Sequence, residues 1–201
     1  MNNREYLIHI LLKLRSIGIK DEKILKAIEK IPPHYYFNIF HGNNLIYKVD
    51  IDEVVEIAKL LELILHVNSK LENVLLLGFK QGWLLVLLTN FCKRIYGLCN
   101  NMNQKKKLEL FFLNNNYSDI YLDSGENILA WHKVAPFDLI FSLNTKSFSI
   151  NNIVHLLSKS GFAILPRLSK SNAIEVISVN KNNFVIKQNF NFDLLSKSDL
   201  I

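Results

Sequence analysis

The chain is poor in the residues that usually signal a special architecture. Its 201 residues include 7 glycines, 4 prolines and 2 cysteines. So little glycine and proline excludes a collagen-like or low-complexity protein, and two cysteines exclude a disulfide-rich scaffold. Cys92 and Cys99 match neither a CxxC redox motif nor a zinc-binding spacing. We therefore expect both to be reduced packing residues.

Patterns for metal, membrane and export are also missing. The six histidines occur at neither HxxxH nor HExxH spacing, so the sequence predicts no metal site. No apolar run reaches the roughly 18 residues that a membrane span requires. The first residues run into an amphipathic pattern rather than the uniform apolar core of a signal peptide. We expect a cytoplasmic protein without a metal or membrane partner.

Positive charge is in moderate excess, with a formal net charge of +6. The positive residues are spread along the chain, and the one tight cluster, Lys105–Lys107, opens a predicted helix as a solvated face. This spread does not favour a nucleic-acid partner, although the positive charge alone leaves nucleic-acid binding or RNA modification open as a hypothesis.

The composition that remains, 49% hydrophobic and 21% charged residues, is typical of one globular domain spanning residues 1–201. Apolar residues recur at helical spacing from Tyr6 to Ile17, and Gly18 suits the end of that helix. Asp21 is a plausible N-cap of a second helix, and a third begins near Asp52. The sequence thus predicts a helical N-terminal cap over residues 1–68.

From residue 69 onward, apolar runs alternate with helical patterns. Strands are expected at residues 73–78, 94–99, 119–123, 137–142 and 162–166, with a helix over residues 150–158 that Gly161 interrupts. Alternating strands and helices predict right-handed crossovers and a parallel sheet. Two further strands around a four-residue turn at 180–183 predict an antiparallel C-terminal hairpin at the sheet edge. The fold class is α/β and Rossmann-like.

Ligands of such sheets lie beyond the carboxyl ends of the strands, at the switch point. The informative segments are therefore those that follow the first four strands: 78–83, 98–100, 123–125 and 142–145. Gly78 and Gly82 would let the backbone approach a ligand, or serve only as turn and packing glycines. Asp123 would bind the ligand or cap the next turn. Asp138, at the start of a strand, is expected to be structural.

An ordered set of segments resembles the protein-L-isoaspartate O-methyltransferase family across nearly the whole chain. The similar segments are Gly18–Ile28, Ile31–Phe37, Tyr47, Asn73–Trp83, Phe137–Ile140 and Leu156–Pro166. The resemblance implies the S-adenosylmethionine-dependent methyltransferase fold. It also implies transfer of a methyl group from S-adenosyl-L-methionine to the α-carboxylate of isoaspartyl residues in damaged proteins, a reaction that needs no metal.

The same resemblance assigns roles to individual residues. It places Gly78, Phe79, Lys80, Gly82, Cys99, Asp123 and Ser124 around the cofactor and Tyr47 at the substrate, with isoaspartyl-containing proteins or peptides as partners. It identifies no catalytic residue.

The chain also departs from the family pattern. Leu76 replaces the acid before the first glycine, Lys80 the middle glycine, and Cys99 the acid expected to bind the ribose hydroxyls. A thiol is a weak hydrogen-bonding group in that position. These departures define an alternative: a catalytically inactive relative that acts as a binding or scaffold protein.

Overall fold

The structure is a computed structural model that describes residues 3–34, 36, 50–67, 71–79, 82–125, 128–142, 150–166, 173–180 and 183–191. The chain divides into two compact units, Met1–Lys70 and Leu71–Ile201. This division falls close to the predicted boundary between 1–68 and 69–201. That both parts form one domain stays a prediction.

The first unit is helical. Its described helices are α1 (Asn3–Ser16), α2 (Glu22–Lys30) and α3 (Ile51–Val67). Gly18, at φ +102°, ends α1 as predicted: its N–H donates to Arg15 at 3.1 Å and the N–H of Ile19 donates to Leu14 at 3.0 Å. This pair of bonds satisfies carbonyls at the helix end. The Asp21 side chain caps α2 by accepting from the Lys23 N–H at 2.7 Å, also as predicted.

The second unit is a seven-stranded sheet with helices between its parallel strands. Its strands are β1 (Leu71–Leu77), β2 (Cys92–Cys99), β3 (Ile120–Ser124), β4 (Phe137–Ser142), β5 (Leu157–Pro166), β6 (Ala173–Asn180) and β7 (Asn183–Asn191). Its helices are α4 (Trp83–Leu88), α5 (Met102–Asn114) and α6 (Ile150–Leu156), with a 3-10 helix at Ile128–Lys133.

The strand order is β3-β2-β1-β4-β5-β6-β7, with β1 to β5 parallel and β6 and β7 antiparallel. The predicted parallel sheet and C-terminal hairpin are therefore both confirmed. The chain runs outward from β1 to β3 and then returns to β4 on the other side of β1. This reversal makes the carboxyl ends of β1 and β4 the switch point, where Leu77 pairs with Ser142.

Burial on both faces explains why β1 reads as a continuous apolar run. Val74, Leu75, Leu76 and Leu77 are all buried, as expected for a central strand covered by helices on both sides. The core on one face includes Leu75, Leu77, Tyr96, Leu98, Trp131, Ile140 and Ile153.

One element boundary was predicted wrongly. Gly161 does not interrupt a helix over 150–158, because α6 ends at Leu156 and β5 starts at Leu157. The register between β4 and β5 shifts between Phe137 and Leu139, so β5 carries extra residues there. Gly161 lies in this irregular stretch, where a Cβ would come within 2.6 Å of the Phe137 carbonyl oxygen. The glycine serves close backbone approach rather than helix termination.

Candidate cofactor site at the carboxyl edge

The loop after β1 turns at Gly78, which has φ +71°. A positive φ is easily adopted only by glycine, so the sequence requirement at this position is conformational. Phe79 follows and is buried. Gly82 is the residue before α4 and is buried as well. Lys80, which was predicted to lie in this loop, falls outside the described residues, and so does Tyr47.

The Phe79 ring packs directly on the backbone of β2. A Cβ placed on Gly97 would lie 2.9 Å from Cε1 of Phe79, 3.0 Å from its Cζ, and 2.8 Å from Cδ2 of Leu122. Gly97 therefore provides the space into which the ring fits. Sequence reasoning assigned no role to Gly97, because a single glycine inside a strand indicates only a bulge or a close approach.

Cys99 ends β2 and is buried. Burial raises the pKa of its thiol to about 12, with Glu109 and Asp123 adding to the rise and Lys105 opposing it. The thiol is therefore neutral near pH 7. A neutral thiol offers weak hydrogen bonds and no charge, which is a different chemistry from the carboxylate expected here.

Asp123 stands on β3, one residue before the partner of Cys99, because Leu98 pairs with Asp123 and Cys99 with Ser124. Its Oδ1 accepts from the Ser124 N–H at 2.8 Å and from Lys105 Nζ at 3.3 Å. The side chain of Asp123 is 44% exposed, so it remains accessible to a ligand. The hydrogen bond from Ser124 therefore does not exclude a ligand contact by Asp123.

Lys105 links this acid to α5. Its ammonium group lies 3.3 Å from Asp123 and 3.8 Å from Glu109, and its side chain is only 21% exposed. The predicted solvated face at Lys105–Lys107 is therefore wrong for Lys105 itself, since pairing with Asp123 draws it toward the sheet edge. Lys106 and Lys107 are exposed. Ser124 Oγ, nearby, lies 3.8 Å from the Met102 sulfur.

Gln104 was missed by sequence reasoning. Its side-chain Oε1 accepts from the Asn100 N–H at 2.8 Å, and its Nε2 donates to the Phe79 carbonyl at 2.9 Å. The available signal was the Asn101-x-x-Gln104 spacing directly after a strand, which resembles a capping box. Asn101 does cap α5, since its Oδ1 accepts from the Gln104 N–H at 2.9 Å.

The structure thus brings Gly78, Phe79, Gly82, Cys99, Asp123 and Ser124 to the carboxyl edge of β1, β2 and β3. Asp138 lies at the opposite edge. Its carboxylate accepts from the N–H groups of Glu72 and Asn73 at 2.9 and 3.1 Å and from Ser158 Oγ at 3.1 Å. This is the structural role that its position at a strand start predicted.

Among the residues that the structure describes, no group of three or more metal-binding side chains is assembled. Across the same parts of the chain, no helix has the length and apolar character needed to span a membrane.

Solved structures with the same arrangement identify the fold. One, from Plasmodium falciparum, is described as a protein-L-isoaspartate O-methyltransferase in complex with S-adenosyl-L-homocysteine. It matches with a TM-score of 0.68 at 18% identity, covering 92% of this chain and 93% of that one. A second protein-L-isoaspartate O-methyltransferase matches with a TM-score of 0.66 at 14% identity, and this chain spans 65% of its length. The fold is that of the Rossmann-like methyltransferases.

Sequence comparison with curated proteins gives matches over most of the chain. A protein-L-isoaspartate O-methyltransferase of Dictyoglomus turgidum is 26% identical over 164 residues, which cover 76% of this chain and 72% of the relative. The one from Pectobacterium carotovorum is 25% identical over 190 residues, which cover 89% and 88%. No family model matches the chain. The chain is therefore similar in sequence to protein-L-isoaspartate O-methyltransferases over most of its length.

Proposed function

We propose that the chain is an S-adenosyl-L-methionine-dependent methyltransferase whose substrates are isoaspartyl residues of damaged proteins. The observation that carries the proposal is the sequence similarity to curated proteins named protein-L-isoaspartate O-methyltransferase. One of these alignments covers 89% of the chain. The structure is consistent with this, since the candidate residues meet at the sheet edge where this fold class binds ligands. The scaffold alternative gains no support from any observation.

In this proposal, Gly78 would lie at the methionine end of the cofactor and Asp123 at its adenine end. Gly78, at φ +71°, turns the loop and has no side chain of its own that would obstruct a ligand. The Asp123 carboxylate, partly exposed, can accept a hydrogen bond from an adenine amino group. At the ribose position, Cys99 supplies no charged acceptor. We therefore expect weaker cofactor binding than an acid at position 99 would give.

The proposed assignment keeps the residues predicted from the sequence. Cofactor binding is assigned to Gly78, Phe79, Lys80, Gly82, Cys99, Asp123 and Ser124, and substrate binding to Tyr47. A cytoplasmic location belongs to the same proposal.

The main contribution of the protein to this reaction is to position the two reactants. S-adenosyl-L-methionine, when bound, supplies the methyl group. That methyl group would pass to the isoaspartyl carboxylate oxygen, and the cofactor's sulfur would retain the electron pair of the carbon–sulfur bond that breaks. The residues of the chain hold two reactants in line, which is worth about 7–11 kcal/mol in well-oriented cases. No proton acceptor is needed, because the attacking carboxylate is already ionised near pH 7.

A paired experiment tests the proposal. Calorimetric titration with S-adenosyl-L-methionine and S-adenosyl-L-homocysteine is expected to show Kd values on the order of micromolar. Transfer of radiolabelled methyl groups is expected to an isoaspartyl peptide but not to the aspartyl peptide of the same sequence. Asp123→Ala is expected to weaken binding, whereas Asp119→Ala, an exposed acid at the other end of the same segment, serves as its control. Absence of heat at millimolar ligand would refute the proposed function.

A further inference from the structure

Gln104 joins two loops that follow neighbouring strands. Phe79 belongs to the loop after β1, and Asn100 to the loop after β2. These strands run parallel with Leu77 opposite Leu98, so both loops start at the same edge of the sheet. The Gln104 side chain accepts from one loop at 2.8 Å and donates to the other at 2.9 Å. A carboxamide can do both because it carries an acceptor and a donor at one terminus.

The Gln104 side chain is itself held in place. It projects from the first turn of α5, whose N-terminus is fixed by the Asn101 cap. Gln104 is also partly buried. The bridge is thus built on a helix end rather than on a free loop, and a rigid support of this kind favours precise positioning.

Phe79 is consequently restrained from two sides. Its carbonyl is bound by Gln104, and its ring fills the space above Gly97. With both groups fixed, the direction in which the backbone leaves Gly78 is also fixed. This matters because Gly78 opens the loop that the proposed function assigns to the cofactor.

We infer that Gln104 is a positioning residue for cofactor binding, which it achieves by setting the spacing between the loops after β1 and β2. The inference rests on the proposed function, because it assumes that S-adenosyl-L-methionine binds at this edge. Gln104 acts through Phe79 and Asn100 and has no assigned contact with the reacting groups.

Two substitutions separate the bond to Asn100 from the bond to Phe79. Gln104→Met has a similar length and helix preference but removes both bonds. Gln104→Glu keeps an acceptor for Asn100 and loses the donor to Phe79. Asn115→Leu is the matched control, because Asn115 Nδ2 donates to the Phe111 carbonyl at 2.8 Å at the other end of the same helix.

The readouts are cofactor affinity, a KM-against-kcat comparison and amide exchange. For Gln104→Met we expect the Kd of S-adenosyl-L-homocysteine and the KM of S-adenosyl-L-methionine to rise about tenfold, with kcat changed less than about twofold. Exchange of the Asn100 amide in the ligand-free protein is expected to accelerate in Gln104→Met and much less in Gln104→Glu. Asn115→Leu is expected to leave all three readouts unchanged.

The outcomes are distinguishable. Unchanged affinity and unchanged Asn100 exchange in Gln104→Met would overturn the inference. A fall in kcat at constant KM would also overturn it, since it would place Gln104 in the chemical step. A wild-type chain that binds neither cofactor form overturns the proposed function and the cofactor role together. The Asn100 exchange then still decides whether Gln104 joins the loops.

Discussion

The ring of Phe79 occupies the space that a side chain at position 97 would need: a Cβ on Gly97 would lie 2.9 Å from Phe79 Cε1. We therefore expect Gly97→Ala to destabilise the protein by about 1–3 kcal/mol, because inserting a methyl group into a filled site displaces its neighbours. Phe79 follows Gly78 in the loop after β1, so displacing its ring should also shift this loop. The affinity for S-adenosyl-L-homocysteine should therefore fall as well. Urea unfolding and calorimetry measure the two effects.

The double variant Gly97→Ala/Phe79→Leu tests whether the ring is the cause. Leucine gives the added methyl group more room, so the two substitutions should be coupled by more than about 0.5 kcal/mol in a double-mutant cycle. Strictly additive effects would show that the Phe79 ring is not the cause of the lost stability in Gly97→Ala. The Leu122 side chain, 2.8 Å from the added Cβ, would then be the neighbour to test.

Asp138 ties the starts of three strands together. Its carboxylate accepts from two N–H groups of β1 and from Ser158 on β5. Asp138→Ala leaves these donors without their acceptor and is expected to lower the free energy of unfolding by about 2–4 kcal/mol. Asp138→Asn keeps an acceptor oxygen and should cost less. Urea unfolding is the measurement, and an equal loss in Asp119→Ala, an exposed aspartate, would contradict this account.

A restored acid at position 99 should strengthen cofactor binding if the nucleoside lies there. Cys99 is buried and neutral, and Lys105 and Asp123 are close enough to affect its pKa. Cys99→Glu would supply a charged acceptor, and one charge-assisted hydrogen bond of about 1.5–3 kcal/mol corresponds to roughly 10- to 150-fold in affinity. Calorimetry with S-adenosyl-L-homocysteine measures it.

Two further results complete this test. Cys99→Ser, a neutral hydroxyl, should produce little change in affinity, whereas Cys99→Glu should also lower thermal stability without ligand, because it buries a charge. Weaker binding by Cys99→Glu at unchanged fold would show that the ribose hydroxyls do not lie at this position.

Glu56 on α3 should make stability depend on pH. Burial, with Asp52, Glu53 and Asp50 adding, raises its pKa to about 7 against the opposing effect of Lys59. A raised pKa means that the folded chain holds a proton that the unfolded chain releases. This stabilising contribution is complete below pH 4.5 and is lost as the pH rises through about 7.

Glu56→Gln mimics the protonated side chain. We expect it to raise the Tm at pH 8 by on the order of a few degrees and to leave the Tm at pH 4 nearly unchanged. Thermal unfolding at both pH values is the measurement, with Glu29→Gln as an exposed control in the same unit. An equal shift at both pH values would mean that Glu56 acts by helix preference rather than by its charge.

Much of the fold could be predicted from the sequence, since its signals are local. Continuous apolar runs such as Val74–Leu77 predict buried parallel strands, and Gly18 and Asp21 mark helix ends by their own chemistry. The start of β5 was wrong because Gly161 serves a contact with Phe137, a residue distant in sequence. A pattern read along the chain contains no information about such a partner.

In the candidate site, too, features set by local sequence could be predicted and those set by distant contacts could not. Gly78, directly after β1, and Asp123, near the end of β3, could be placed at this edge from their residue types and their positions relative to the strands. Gln104 and Gly97 could not, because their roles depend on Phe79, which reaches them only after the strands have paired. Resemblance to a family does not reveal them either, since it assigns roles only where residues match a known motif.

The sheet topology has a consequence for how the protein reaches its native state. β6 and β7 pair Asn180 with Asn183, which are close together in the chain, whereas β1 and β4 pair Val74 with Leu139, which are far apart in it. Closing a short loop costs less entropy than closing a long one, so the hairpin can form early and the β1–β4 pairing late. When the chain refolds, the edge where Gly78 stands beside the end of β4 is then expected to be among the last parts to form.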